Sequence, residues 1–222
     1  LGYLDDQRNE FKRLGGIGDW ANPYITLTHD FEAEQIKIFA EMATQGYIYK
    51  GLKPVYWCPE CETALAEAEI EYAEDPCNSI YVKFRVTDDK GLFTEKGADL
   101  SKTYFVIWTT TTWTLPGNVA ICLGPEFEYS LVKWEEEYYV MASALMEGAM
   151  KEAEKTDYEV IATFKGSDLE YMKAQHPFLD RTSLVILGDH VTLESGTGCV
   201  HTAPGHGRGD YEGCLQYGLD LY

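Results

Sequence analysis

Thr109, Thr110, Thr111 and Thr112 stand side by side at the end of the apolar run Tyr104, Phe105, Val106 and Ile107. Four adjacent β-branched hydroxyls favour extended backbone and fit a helix poorly, so an apolar strand should carry them to its end and present some of them to a cavity. There they can orient water and ester oxygens, or, more blandly, bond each other and the solvent. Far along the chain, residues 195–211 read Ser-Gly-Thr-Gly-Cys-Val-His-Thr-Ala-Pro-Gly-His-Gly-Arg-Gly-Asp-Tyr. The glycines let backbone approach a ligand closely, and His201, Thr202 and Asp210 are the polar groups that such a loop can deliver. A carboxylate held in a small pocket is a natural partner for an ammonium group.

The elements that must position these residues are legible in outline. Strand-type runs are expected at 80–86, 103–108, 119–123, 129–134, 138–141, 158–164, 184–187 and 199–202, with a helical composition at 142–153. A helix is predicted over 28–46, capped by Thr28 or Asp30, stopped by Gly46, and carrying Ile36, Phe39, Ala40 and Ala43 at the spacing of one buried face. The punctuation of residues 1–50 by Gly15-Gly16, Gly18 and Asn22-Pro23 suggests an appendage of short helices and loops before a core that begins after it. The fold class expected is α+β, with a curved, barrel-like, mostly antiparallel β-sheet core and surrounding helices.

Composition narrows the function classes. The 222 residues hold 18 basic and 37 acidic side chains, a net charge of −19, which excludes a broad electrostatic grip on nucleic acid or on an anionic membrane and confines any RNA contact to a local one. No stretch approaches the roughly 20 apolar residues that span a bilayer, and the start lacks the pattern of a secretion signal, so a cytoplasmic protein is expected. Both ends look cut. The six cysteines are read as free thiols. Cys58-Pro59-Glu60-Cys61 is half of a zinc ribbon, but no second pair of ligands follows at the usual interval, so no metal and no cofactor is assigned. The tripeptide Arg208-Gly209-Asp210 spells an adhesion motif that recurs by chance, and Ser195-Gly196-Thr197-Gly198 lacks the Lys-Ser/Thr ending of a phosphate loop.

Residues 108–118 resemble the W-T-T-T-P-W-T-L-P-x-N segment of the isoleucyl-tRNA synthetase editing domain (connective peptide 1), and residues 196–211 resemble its G-T-G-x-V-H-T-A-P-G-H-G-x-D-D-Y segment. Residues 51–57 and 64–72 match the same family in the expected order. The H-I-G-H and K-M-S-K-S signatures of the synthetase catalytic domain are absent, so this chain is expected neither to activate an amino acid nor to charge tRNA. The resemblance implies that residues 51–222 form the editing domain, truncated at its C-terminus, and that residues 1–50 lead to the synthetase body.

It implies further that the chain hydrolyses the ester of valine mischarged onto isoleucine tRNA, and that valyl-adenylate is a second substrate. Thr109, Thr110, Thr111 and Asp210 would be catalytic, with Asp210 receiving the α-ammonium. Trp108, Asn118, His201 and Thr202 would line the substrate, Trp108 as wall unless it serves the core, Asn118 to fix either the turn or the terminal adenosine, and His201 and Thr202 as the side-chain sieve. The partners implied are the 3′ end of the tRNA, the valine moiety and the rest of the synthetase. Two departures bear on this: Thr112 replaces the usual proline and Gly209 the usual second aspartate. Weakened hydrolysis, with the fold acting only as a binding module for the tRNA 3′ end or the amino acid, is the alternative that these departures leave open.

Overall fold

The computed structural model describes residues 2–221, which divide into two units, one up to Leu52 and one from Lys53 onward. The first unit holds α1 (Gly2–Arg13) and α2 (His29–Thr44). Thr28 caps α2, its hydroxyl accepting the Phe31 N–H at 3.4 Å, and Gly46 follows the helix in the left-handed conformation that ends it. The face expected to be buried is not: Ile36 is 69% exposed and Phe39 59%. Periodicity reports an apolar stripe, but it does not say that the stripe's partner lies in the same chain.

In the second unit, β1 (Tyr56–Cys58) and β2 (Thr63–Leu65) form an antiparallel hairpin whose turn carries Cys58 and Cys61; the Cys61 N–H reaches the Cys58 sulfur at 3.4 Å. The other strands are β3 (Ile80–Asp88), β4 (Thr103–Thr109), β5 (Ala120–Leu123), β6 (Glu128–Trp134), β7 (Glu137–Ala142), β8 (Glu159–Lys165), β9 (Lys173–Gln175), β10 (Thr182–Leu187) and β11 (Cys199–Thr202). Among the described residues they make one sheet in the order β11-β5-β10-β9-β3-β4-β7-β6-β8. The β10–β5 and β4–β7 pairs are parallel and the rest antiparallel. The remaining helices are α3 (Ser143–Glu152) and α4 (Arg208–Gln216).

Alternation of side chains sorts the sheet into two faces. Phe84, Phe105, Ile107, Ile121, Leu123, Leu131, Val140, Val185 and Cys199 meet in one cluster. Their neighbours on the opposite face join two smaller ones: Val106, Val132, Tyr139 and Met141 with Met150 of α3, and Ala120, Cys122 and Ile186 with Cys214 of α4. Strand β5 is buried on both faces, which is why its sequence is unbrokenly apolar.

The expectation of a curved sheet holds, but closure into a barrel does not. Strands β11 and β8 are its two edges, and among the described residues β11 pairs only with β5. The chain entering β11 nevertheless reaches back to the end of β7, where the Ala142 N–H donates to the Thr197 carbonyl at 2.8 Å. That curl brings the start of β11 over the middle of the sheet.

Candidate functional site

Strand β4 delivers the hydroxyl row. Ile107 and Thr109 point to the large core, and Thr109, 7% exposed, is the last residue in register with β3, opposite Ile80. Beyond it the backbone turns on its own hydroxyls. The Thr109 Oγ accepts the Thr111 N–H at 3.1 Å and lies 3.2 Å from the Thr111 Oγ, while Thr110 is half-buried between them and Thr111 is exposed. Thr112 does not extend the row; it opens a short 3-10 helix, Thr112–Gly117, in which the Thr114 hydroxyl donates to the Thr111 carbonyl at 2.8 Å. Trp108 alternates to the opposite face, where it lines a hollow of about 320 Å³ with Tyr81, Leu145 and Ser195, so the strand separates it from the hydroxyls.

The glycine-rich string meets β4 and the turn beyond it at three places. Gly196, at φ +80°, lies under Trp108: a Cβ there would come within 3.1 Å of the indole. Gly117 faces His206, whose ring would be 3.0 Å from a Cβ at that position. Between them, in β11, the His201 Nε2 lies 2.9 Å from the Thr114 hydroxyl. Gly198, at φ +70°, passes so close to β7 that a Cβ would sit 2.4 Å from the Ala142 Cβ, and here only glycine fits.

His201 is 8% exposed, and both its nitrogens are engaged: Nε2 with Thr114, and Nδ1 with the Asn118 side-chain nitrogen at 2.7 Å. Burial, reinforced by the nearby His176 and His206, pushes its pKa down to about 4, so the ring is neutral across the physiological range. Asn118 is fully enclosed, its amide also donating to the Ala120 carbonyl at 2.8 Å and accepting from the Ser183 hydroxyl at 2.6 Å. Of the two roles open to Asn118, these bonds serve the fixing of the turn. Thr202, 1% exposed, turns its hydroxyl to the Val200 carbonyl at 3.3 Å.

Asp210 sits in the first turn of α4, and its carboxylate accepts the Ala203 N–H at 2.8 Å. Burial raises its pKa above the ordinary carboxylate value, opposed by the Ala203 amide and by His190 and His206 nearby. No hydrogen bond joins Asp210 to a threonine among the described residues. The two groups are linked instead through the end of β11, where His201 holds the hydroxyl turn and Ala203 holds the acid. Two residues of extended chain span only about 7 Å. The end of β11 thus connects a turn of hydroxyls and amides with a half-buried carboxylate.

Three buried groups that support the turn were not singled out from the sequence: Thr114, Ser183 and His176. His176 donates from Nε2 to the Leu115 carbonyl at 2.8 Å and accepts the Leu179 N–H at Nδ1 at 3.1 Å. Thr114 lay inside the threonine-rich string and went unseparated from it, whereas nothing around Ser183 or His176 marks either as a neighbour of that string.

Comparison with known proteins adds the family. Residues 1–174 match the tRNA synthetases class I (I, L, M and V). The chain is 65% identical over 221 residues to the isoleucine–tRNA ligase of Caldicellulosiruptor bescii, an alignment covering 100% of this chain and 24% of that protein. It is 61% identical over 218 residues to the isoleucine–tRNA ligase of Thermoanaerobacter sp. (strain X514), covering 98% of this chain and 23% of that one. The chain therefore spans about a quarter of the length of these relatives. Among solved structures, the fold resembles the crystal structure of GlLeuRS-CP1 with a TM-score of 0.53 and 19% identity, over 65% of this chain and 66% of that one.

Proposed function

The chain belongs to the class I tRNA synthetases (I, L, M and V), and from that premise we propose that it is the editing domain of an isoleucyl enzyme, hydrolysing valine mistakenly esterified to isoleucine tRNA. Isoleucine and valine differ by one methylene, worth only about 1–3 kcal/mol in a pocket; isoleucyl enzymes are the usual illustration of this limit, so the magnitude is not a result of this structure. A second, smaller pocket removes the errors that the first one admits.

The observation that carries this reading is the shared anchoring of the hydroxyl turn and Asp210 on the end of β11. Asp210 receives the substrate α-ammonium. The hydroxyls and amides of Thr109, Thr110 and Thr111 hold the ester carbonyl and the attacking water. Water adds to the carbonyl carbon, the bond to the ribose oxygen breaks, that oxygen leaves with a proton, and valine departs as the free acid. An ester is already an activated acyl group, so positioned water and oxyanion donors suffice without a covalent enzyme intermediate. His201, its nitrogens both engaged and its ring neutral, contributes shape to the sieve and takes no proton; Thr202 backs it. The 3′ end of the tRNA docks locally, and valyl-adenylate is a second substrate by the same chemistry.

Incubating the 222-residue chain with valyl-tRNA of the isoleucine type tests this reading. Release of valine above the spontaneous rate supports it, and binding of the ester without release would make the chain a binding module instead.

A further inference from the structure

The hydrogen bonds around His201 carry a direction as well as a geometry. The Ala120 carbonyl can only accept, which fixes the Asn118 end facing it as the amide nitrogen, and the Ser183 hydroxyl then donates to the Asn118 Oδ1 at 2.6 Å. The amide nitrogen then faces two acceptors, the Ala120 carbonyl at 2.8 Å and the His201 Nδ1 at 2.7 Å, and spends one proton on each. Nδ1 is therefore bare, and the proton of the neutral ring is on Nε2, aimed at the Thr114 Oγ at 2.9 Å. With its oxygen accepting there, the Thr114 hydroxyl turns its own proton to the Thr111 carbonyl at 2.8 Å. Every donor along Ser183, Asn118, His201 and Thr114 points the same way.

The geometry points to Thr114 and Ser183 as positioning residues of the hydrolytic site: a one-way chain of donors, running from β10 through the His201 Nε2–H tautomer, holds the Thr111 carbonyl and with it the orientation of the catalytic threonine turn. The catalytic consequence rests on the editing reading above; the tautomer and the anchoring do not. The hydroxyls of Thr114 and Ser183 are both spent on partners within the protein. They act by removing the freedom of the turn, as groups that pre-orient a site do. The chain also separates roles, because a ring committed as donor on one side and acceptor on the other has no lone pair left for the attacking water.

Nitrogen-15 NMR of the imidazoles in the 222-residue chain at neutral pH tests the direction. The expected result is a protonated Nε2 and a bare Nδ1 for His201. In Asn118→Asp, where a carboxylate can only accept, Nδ1 should become protonated. Thr114→Val should lower the turnover of valyl-tRNA by about tenfold or more while leaving KM within about threefold, the loss expected for one well-placed hydrogen bond, and Thr114→Ser should restore at least about half the rate. Hydrogen exchange of the Thr111 amide should quicken about tenfold in Thr114→Val, a readout independent of activity. A protonated Nδ1 in the unaltered chain overturns the assignment, and unchanged exchange at Thr111 in Thr114→Val overturns the anchoring. If the unaltered chain releases no valine, the editing reading fails, while the nitrogen signals and the exchange still decide the positioning.

Discussion

His201 and Thr114 lie 87 residues apart in the chain and 2.9 Å apart in space. This bond ties the edge strand β11 to the turn that ends β4, and it joins the two strings of the sequence in which chemistry is concentrated. Strand β11 ends at Thr202, and the next residue, Ala203, holds Asp210 through its amide. Disturbing β11 should therefore disturb both halves of the site together.

A first prediction concerns acid stability. The unfolded chain binds a proton at His201 near the ordinary histidine value of about 6.5, whereas the folded chain binds it only at about 4. The unfolded state thus takes up the proton first on acidification. The contribution to stability is complete above about pH 6.5 and is lost as pH falls toward 4, by about 3 kcal/mol in all. His176, its pKa also lowered by burial, acts in the same sense. Urea titrations between pH 7 and 4 should show stability falling in this window and a shallower fall in His201→Gln; equal slopes would remove His201 from the account.

Gly198 tests the closeness of β11 and β7. A methyl group there meets the Ala142 Cβ at 2.4 Å on a backbone of positive φ. Gly198→Ala should destabilise by about 2–4 kcal/mol, combining left-handed strain with overpacking. A thermal midpoint within a degree or two of the parent would contradict the curl of the sheet described above.

Gly209 is the opposite case, because a Cβ at Gly209 meets nothing within 4 Å. Gly209→Asp should be neutral or stabilising by a few tenths of a kcal/mol, since it adds a carboxylate to the first turn of α4 and removes a helical glycine. If the missing second acid limits hydrolysis, the same variant should raise the deacylation rate. Loss of stability would mean that the first turn of α4 is not open as described.

Much of this arrangement was legible beforehand. Eight of the sheet strands announced themselves through β-branched and aromatic runs, and α2 through its cap and its Gly46 stop. Strand β9, Lys173–Gln175, is three residues without β-type character, and it exists because β3 and β10 both pair with it. Helix α4 reads as loop because Gly209 and Gly213 interrupt it. The roles of site residues were partly hidden for the same reason that pairing is: a sequence shows a histidine and an asparagine, but not that the two share a bond 83 residues apart. Ser183 and His176 had no local mark at all, since their meaning comes from the strands and turn that they face.

Asp210 gives a test of substrate recognition that spares the fold. Asn at this position keeps an oxygen for the Ala203 amide but loses the charge. Asp210→Asn should therefore retain the parent's stability to within about 1 kcal/mol while binding a non-hydrolysable valyl-adenosine analogue at least about tenfold more weakly. Equal affinity, measured by calorimetry, would contradict the assignment of the ammonium to this carboxylate.

The central proposal is that the threonine turn and Asp210 together serve hydrolysis of a valine ester and refuse isoleucine. Deacylation of valyl-tRNA and isoleucyl-tRNA of the isoleucine type, measured side by side with the 222-residue chain, tests it most directly. The account predicts release of valine faster than of isoleucine by at least about tenfold, the worth of one methylene at a wall. Equal rates on the two esters, or rates no faster than in buffer, would contradict it.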